Sequence, residues 1–101
     1  MKLYVVINGK EYPCDLENMG APFFFRAETG HDVNNETLTS PTEATTFLWA
    51  CVRATCKREG IAFNMPLEDF ACSISAEELN AWIASVVADP KTKKKTGKVT
   101  P

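Results

Sequence analysis

The side chains able to do chemistry in this 101-residue chain are few: one histidine, four cysteines and two adjacent pairs of carboxylates. His31 follows Gly30, which reads as the end of a helix. A general base needs hydrogen-bond reach to its proton and a group to orient it. Only Asp32 is adjacent, and nothing nominates a nucleophile, so His31 is expected to be a solvated loop residue. Cys14, Cys51, Cys56 and Cys72 lack C-x-x-C spacing. Cys51 and Cys56 would point about 140° apart on one helix, so they can neither bridge nor share a metal there. The expectation is four small buried hydrophobes in a reducing compartment. Glu68-Asp69 and Glu77-Glu78 fall where helices start, where negative charge suits the dipole without any acid–base role. The glycines at 9, 20, 30, 60 and 97 punctuate turns, helix ends and the tail instead of forming a phosphate loop. This inventory predicts no catalytic residue, no metal site and no cofactor: a non-enzyme.

The elements that position these groups are marked by their termini. Lys2 to Ile7 and Glu11 to Leu16 read as strands around Asn8-Gly9, the strongest short hairpin signal, with Lys10 open to either turn or strand. Pro13 has no amide donor, which predicts an edge strand or a bulge. Asn18 is the expected cap of a helix running to Thr29. Its Phe23-Phe24-Phe25 run spans about 200° of helical arc, wider than an ordinary buried stripe. The expectation is a helix sandwiched between hairpin and other helices; the alternative is one ring at the surface. His31 to Thr39 reads as a loop with room for one helical turn.

Ser40, Pro41 and Glu43 form a helix start with a capping box, and Lys57-Arg58-Glu59-Gly60 forms its stop. Phe47, Leu48, Trp49, Cys51, Val52 and Cys56 wrap around that helix, predicting contacts on more than one side. A short helix is expected from Met65-Pro66 to about Cys72, and a last one capped by a Ser75–Glu78 box. Leu79, Trp82, Ile83 and Val86 share a face of it, and Asp89-Pro90 ends it. The expected fold is α+β and mainly helical: an N-terminal β-hairpin packed on a small bundle of about four helices, one domain over residues 1–90.

Composition is that of an ordinary globular domain, 45% hydrophobic and 24% charged. No apolar run approaches the roughly 18 residues of a membrane span, and the N-terminus lacks the pattern of a secretion signal. A cytoplasmic protein without membrane contact is expected. Through Pro90 there are six basic and thirteen acidic residues, a net charge of −7, and five lysines follow. Residues 91–101 read as a disordered basic tail. An acidic domain is a poor candidate for tracking a phosphate backbone with its own surface. A small nucleic-acid-associated regulator using the tail is the alternative.

Three segments resemble the tail assembly chaperones of long-tailed phages and prophages: Ile7-Asn8-Gly9-Lys10-Glu11-Tyr12-Pro13, Arg26-Ala27-Glu28-Thr29-Gly30 and Cys56-Lys57-Arg58-Glu59-Gly60-Ile61-Ala62-Phe63. With the order of elements they cover most of Met1 to Val87. Pro22 and the Phe23-Phe24-Phe25 cluster depart from that pattern. The resemblance implies a protein that coats the tape measure protein, keeps it soluble and recruits tail tube subunits, all by contact without catalysis. It also implies a longer frameshifted form, for which the codons of Lys93-Lys94-Lys95 are a candidate slippery stretch. The residues expected to meet a client are Phe24 and Trp82, supplemented electrostatically by Lys93, Lys94 and Lys95. Self-association is left open.

Overall fold

A computed structural model describes residues 2–88, so the Asp89-Pro90 stop and the basic tail lie outside the described residues. The chain runs β1 (Lys2–Ile7), β2 (Lys10–Asp15), α1 (Gly20–Thr29), a 3₁₀ turn (Thr37–Thr39), α2 (Pro41–Glu59), α3 (Leu67–Ser73) and α4 (Ala76–Ala88). The architecture is the expected one, α+β and mainly helical, with a two-stranded antiparallel hairpin ahead of four helices.

Asn8 at φ 54° and Gly9 at φ 80° make the two-residue turn, which closes on the pair Ile7↔Lys10. In such a hairpin the pairs alternate between hydrogen-bonded and not, starting with a bonded pair at the turn. Tyr4↔Pro13 is therefore a non-bonded pair, and the missing proline donor faces outward, where the ladder does not need it. No bulge forms. Two other outward amides find side chains: Val6 N donates to Glu78 Oε1 (3.0 Å), and Asp15 N to the Thr55 hydroxyl (2.7 Å). These bonds attach β1 to α4 and β2 to α2.

Helix α1 takes its cap from Asn18, as expected: Asn18 Oδ1 accepts from Gly20 N (2.8 Å) and the Asn18 carbonyl from Ala21 N (3.2 Å). Met19 is already in the helical region at φ −68° and ψ −13° and makes no side-chain bond of its own, and regular helix begins at Gly20. Gly20 lets α1 approach α2 closely: a Cβ there would stand 3.2 Å from that of Ala54. The three phenylalanines divide by angle. Phe25 is fully buried, Phe24 is half-buried, and Phe23 is 74% exposed. The expected sandwich is thus corrected: each residue turns the helix about 100°, and only two of three consecutive rings fit the covered arc.

Helix α2 buries ten of its nineteen residues, from Ala44 to Cys56. Ser40 Oγ accepts from Glu43 N (3.4 Å), and Gly60 takes the left-handed conformation at φ 73°. Both expected capping boxes are half-formed. Glu43 turns to His31 and Glu78 to β1 instead of folding back onto their caps. Trp49 Nε1 donates to the Met65 carbonyl (2.9 Å), which fixes the irregular connection before α3.

Two edge-to-face aromatic series knit the core. Phe25, Phe47 and Trp82 link α1, α2 and α4 with centroids 5.8 and 6.1 Å apart. Tyr12, Phe63 and Phe70 link β2 to α3 at 5.2 and 6.3 Å. Such contacts add about 0.5–1.5 kcal/mol each beyond area burial.

The Thr55 hydroxyl is wholly buried and is the acceptor for the end of β2. Thr55→Val keeps the shape and orphans the Asp15 amide. A loss of about 1–3 kcal/mol is expected in urea unfolding, with faster hydrogen exchange at Asp15. Unchanged stability would show that this bond does not anchor the hairpin.

Candidate functional site

A surface that combines aromatic rings with cations lies where α1 crosses α2. Trp49, Arg53 and Lys57 form one row on α2, four residues apart, and Phe24 reaches across from α1. The Arg53 guanidinium sits over two rings, with Cζ 4.5 Å from the Phe24 centroid and 5.2 Å from that of Trp49. These stacked contacts hold a long side chain in place on the surface. Beyond it, Phe24, Arg53, Lys57, Ile61, Phe63 and Asn64 line a groove of about 350 Å³. A second recess of about 320 Å³ on the other side of Phe24 and Lys57 reaches Asn18 and Arg58. Phe23 stands one helical step further round α1, almost wholly in solvent.

The cations here differ in their partners. Arg58 is committed, with Nη2 2.9 Å from Asp15 Oδ2 and 3.3 Å from Glu59 Oε2. Burial pulls the Asp15 carboxyl upward, but the Glu17 amide and the Arg58 guanidinium outweigh it and leave its pKa lowered. Among the described residues no carboxylate pairs with Arg53 or Lys57. The face can therefore offer two uncommitted positive charges beside aromatic surface.

The residues expected to contact a client separate. Phe24 is on this face, half-buried under Arg53. Trp82 is a correction: it is 3% exposed and packs on Phe47, because a helix with one apolar stripe turns its largest ring inward. Its indole N–H makes no hydrogen bond. The Cys14 sulfur is close enough to feel that dipole without hydrogen-bond geometry. Lys93, Lys94 and Lys95 lie outside the described residues. Arg53 and Lys57 are not among the residues expected from the sequence, although they continue at four-residue spacing the row that Trp49 begins.

His31 lies in the loop, as expected, with its side chain 42% exposed, but it is not without partners: Nε2 is 2.9 Å from Glu43 Oε2, Nδ1 2.9 Å from the Asp32 carbonyl, and the ring is edge-on to Phe25. Both ring nitrogens face acceptors, an arrangement that only the doubly protonated ring satisfies. The Asp32 carbonyl first, and then Glu43, raise its pKa above the ordinary 6.5. The four cysteines are free thiols: Cys14, Cys51 and Cys56 are buried as expected, whereas Cys72 is exposed on the outer side of α3. Burial pushes the Cys14 thiol up to about 12 and raises those of Cys51 and Cys56. Among the described residues no cluster of His, Cys, Asp and Glu could hold a metal ion, and no helix is long and apolar enough to cross a membrane.

Comparison with protein-family models, with curated proteins and with solved structures finds no match for this chain.

Two measurements check these environments. A histidine whose folded pKa is raised stabilises the fold fully below its unfolded pKa and loses that contribution as pH rises through the folded value. The urea midpoint is therefore expected to fall as pH climbs from 6.5 upward, and this slope to shrink in Glu43→Gln. A flat profile would mean the pair does not form. In native thiol titration, Cys72 is expected to react fast and the other three slowly until the protein unfolds.

Proposed function

We propose that this chain is a tail assembly chaperone of a phage or prophage, acting by protein–protein contact on a tape measure protein and helping to recruit tail tube subunits. The reading rests on the resemblance of its three segments, and the order of hairpin and helices agrees with what that resemblance implies. The observation that carries it is the α1–α2 face. An aromatic ring 74% exposed, a half-buried one beside it and two uncommitted cations form a surface suited to covering apolar segments of another polypeptide. Catalysis is not part of this role, and neither is membrane contact. The site of action on this reading is the host cytoplasm.

Co-expression with the tape-measure-like protein encoded nearby is the test. The client is expected in the soluble fraction and in a complex with this chain on size exclusion. A client that stays as insoluble as when expressed alone would end this reading.

A further inference from the structure

We infer that the groove between Phe24 and the Arg53–Lys57 row is the docking site for a short amphipathic helix of the partner, one bearing carboxylates four residues apart beside apolar side chains. The inference rests on the reading of this chain as a polypeptide-binding protein and names the chemistry of the segment it takes.

Three observations select this occupant. First, Arg53 and Lys57 are four residues apart on α2, about 6 Å along the axis, the same spacing that carboxylates at i and i+4 have on a partner helix. Second, the Arg53 guanidinium is already stacked on Phe24 and Trp49, so little side-chain freedom remains to be lost when a carboxylate arrives. Third, the groove walls beside the cations include the apolar Phe24, Ile61 and Phe63 together with Asn64, and the next ring of α1, Phe23, is exposed. Apolar walls with a pair of cations fit acidic residues set among hydrophobic ones. They fit a nucleic acid poorly: two cations neutralise few phosphates, and the walls beside them offer apolar contacts that a phosphate backbone does not use.

The geometry assigns each side chain a share. Lys57 and Arg53 hold the two carboxylates, Arg53 through a planar fork suited to a bidentate grip. Phe24 and Phe63 receive the apolar side chains between them, and Phe23 covers the outer flank. The Lys57-to-Phe63 segment and Phe24 thus meet in one groove.

The probe is a fluorescein-labelled amphipathic peptide of about four helical turns, with glutamates four apart among leucines. The full chain is titrated with it, beside the same peptide with lysine in place of glutamate and an oligothymidylate of equal charge. The acidic peptide is expected to bind, and its titration to shift the amide resonances of Ala54, Lys57 and Ala62. The double change Arg53→Glu with Lys57→Glu is expected to weaken binding by about tenfold or more, and Phe23→Ser by about threefold. All three side chains are exposed, and the basic tail is intact in every variant, so a loss cannot come from tail contacts. Equal binding by the double variant, equal binding of the lysine peptide, shifts confined to other residues, or the oligothymidylate displacing the peptide from these amides would each overturn the inference. The resonance shifts are read on unmodified protein and decide the matter even if a variant misfolds. If the double variant still solubilises the tape measure client, this site is wrong and the chaperone reading stands. If the peptide docks here but the client stays insoluble with the unmodified chain, the site stands and the chaperone reading falls.

Discussion

One helix has to serve as the interior of the whole domain. Helix α2 buries residues all round its cylinder, with Leu48 to Val52 in unbroken succession. No single neighbour can cover such a helix, so hairpin, α1, α3 and α4 must all lie against it. Small side chains at Ala44, Ala50 and Ala54 allow those neighbours to come close, and Gly20 answers Ala54 from the opposite side. The same constraint decides where charge can go. Past Thr46 the exposed positions of α2 are Arg53, Lys57, Arg58 and Glu59, so its cations collect in one place on an otherwise acidic body.

Polar groups complete what the apolar contacts begin. Thr55 and Arg58 on α2 both engage Asp15, tying the last residue of β2 through its backbone and its carboxylate. Trp49 reaches the Met65 carbonyl, and His31 reaches Glu43, so a side-chain bond ties each long connection to α2. These bonds are specific in direction where packing is not. They place Ile61 to Asn64 beside Lys57 and so shape the groove.

What the residues revealed in advance was mostly local. The hairpin was legible because Asn8 and Gly9 tolerate positive φ, and α2 because Ser40-Pro41 and Gly60 mark its ends. Asn18 is legible in the same way, as the acceptor for the Gly20 amide at the start of α1. The structure departs from the spacing where a side chain has a choice of partner. Glu43 and Glu78 sit at capping-box spacing, yet tertiary partners take both carboxylates. Cys72 was expected to be buried like the others, but α3 is short and turns only Phe70 fully inward. Trp82 and Phe24 looked alike as surplus aromatics; their fates depend on how α4 and α1 rotate against α2, which spacing alone leaves open. The candidate groove was half legible: the ring at Phe24 was singled out, the cations that flank it were not.

The outer margin of β1 is closed at Val6 by a carboxylate instead of a third strand. A side chain can swing aside without rupturing any backbone pairing, so this margin opens independently of the hairpin itself. Detachment of α4 would convert a sealed border into an edge on which another extended segment can register, from a second copy or from a different chain. Glu78 thus occupies an amide that a further strand would need, although its position in the sequence suggests only a helix start.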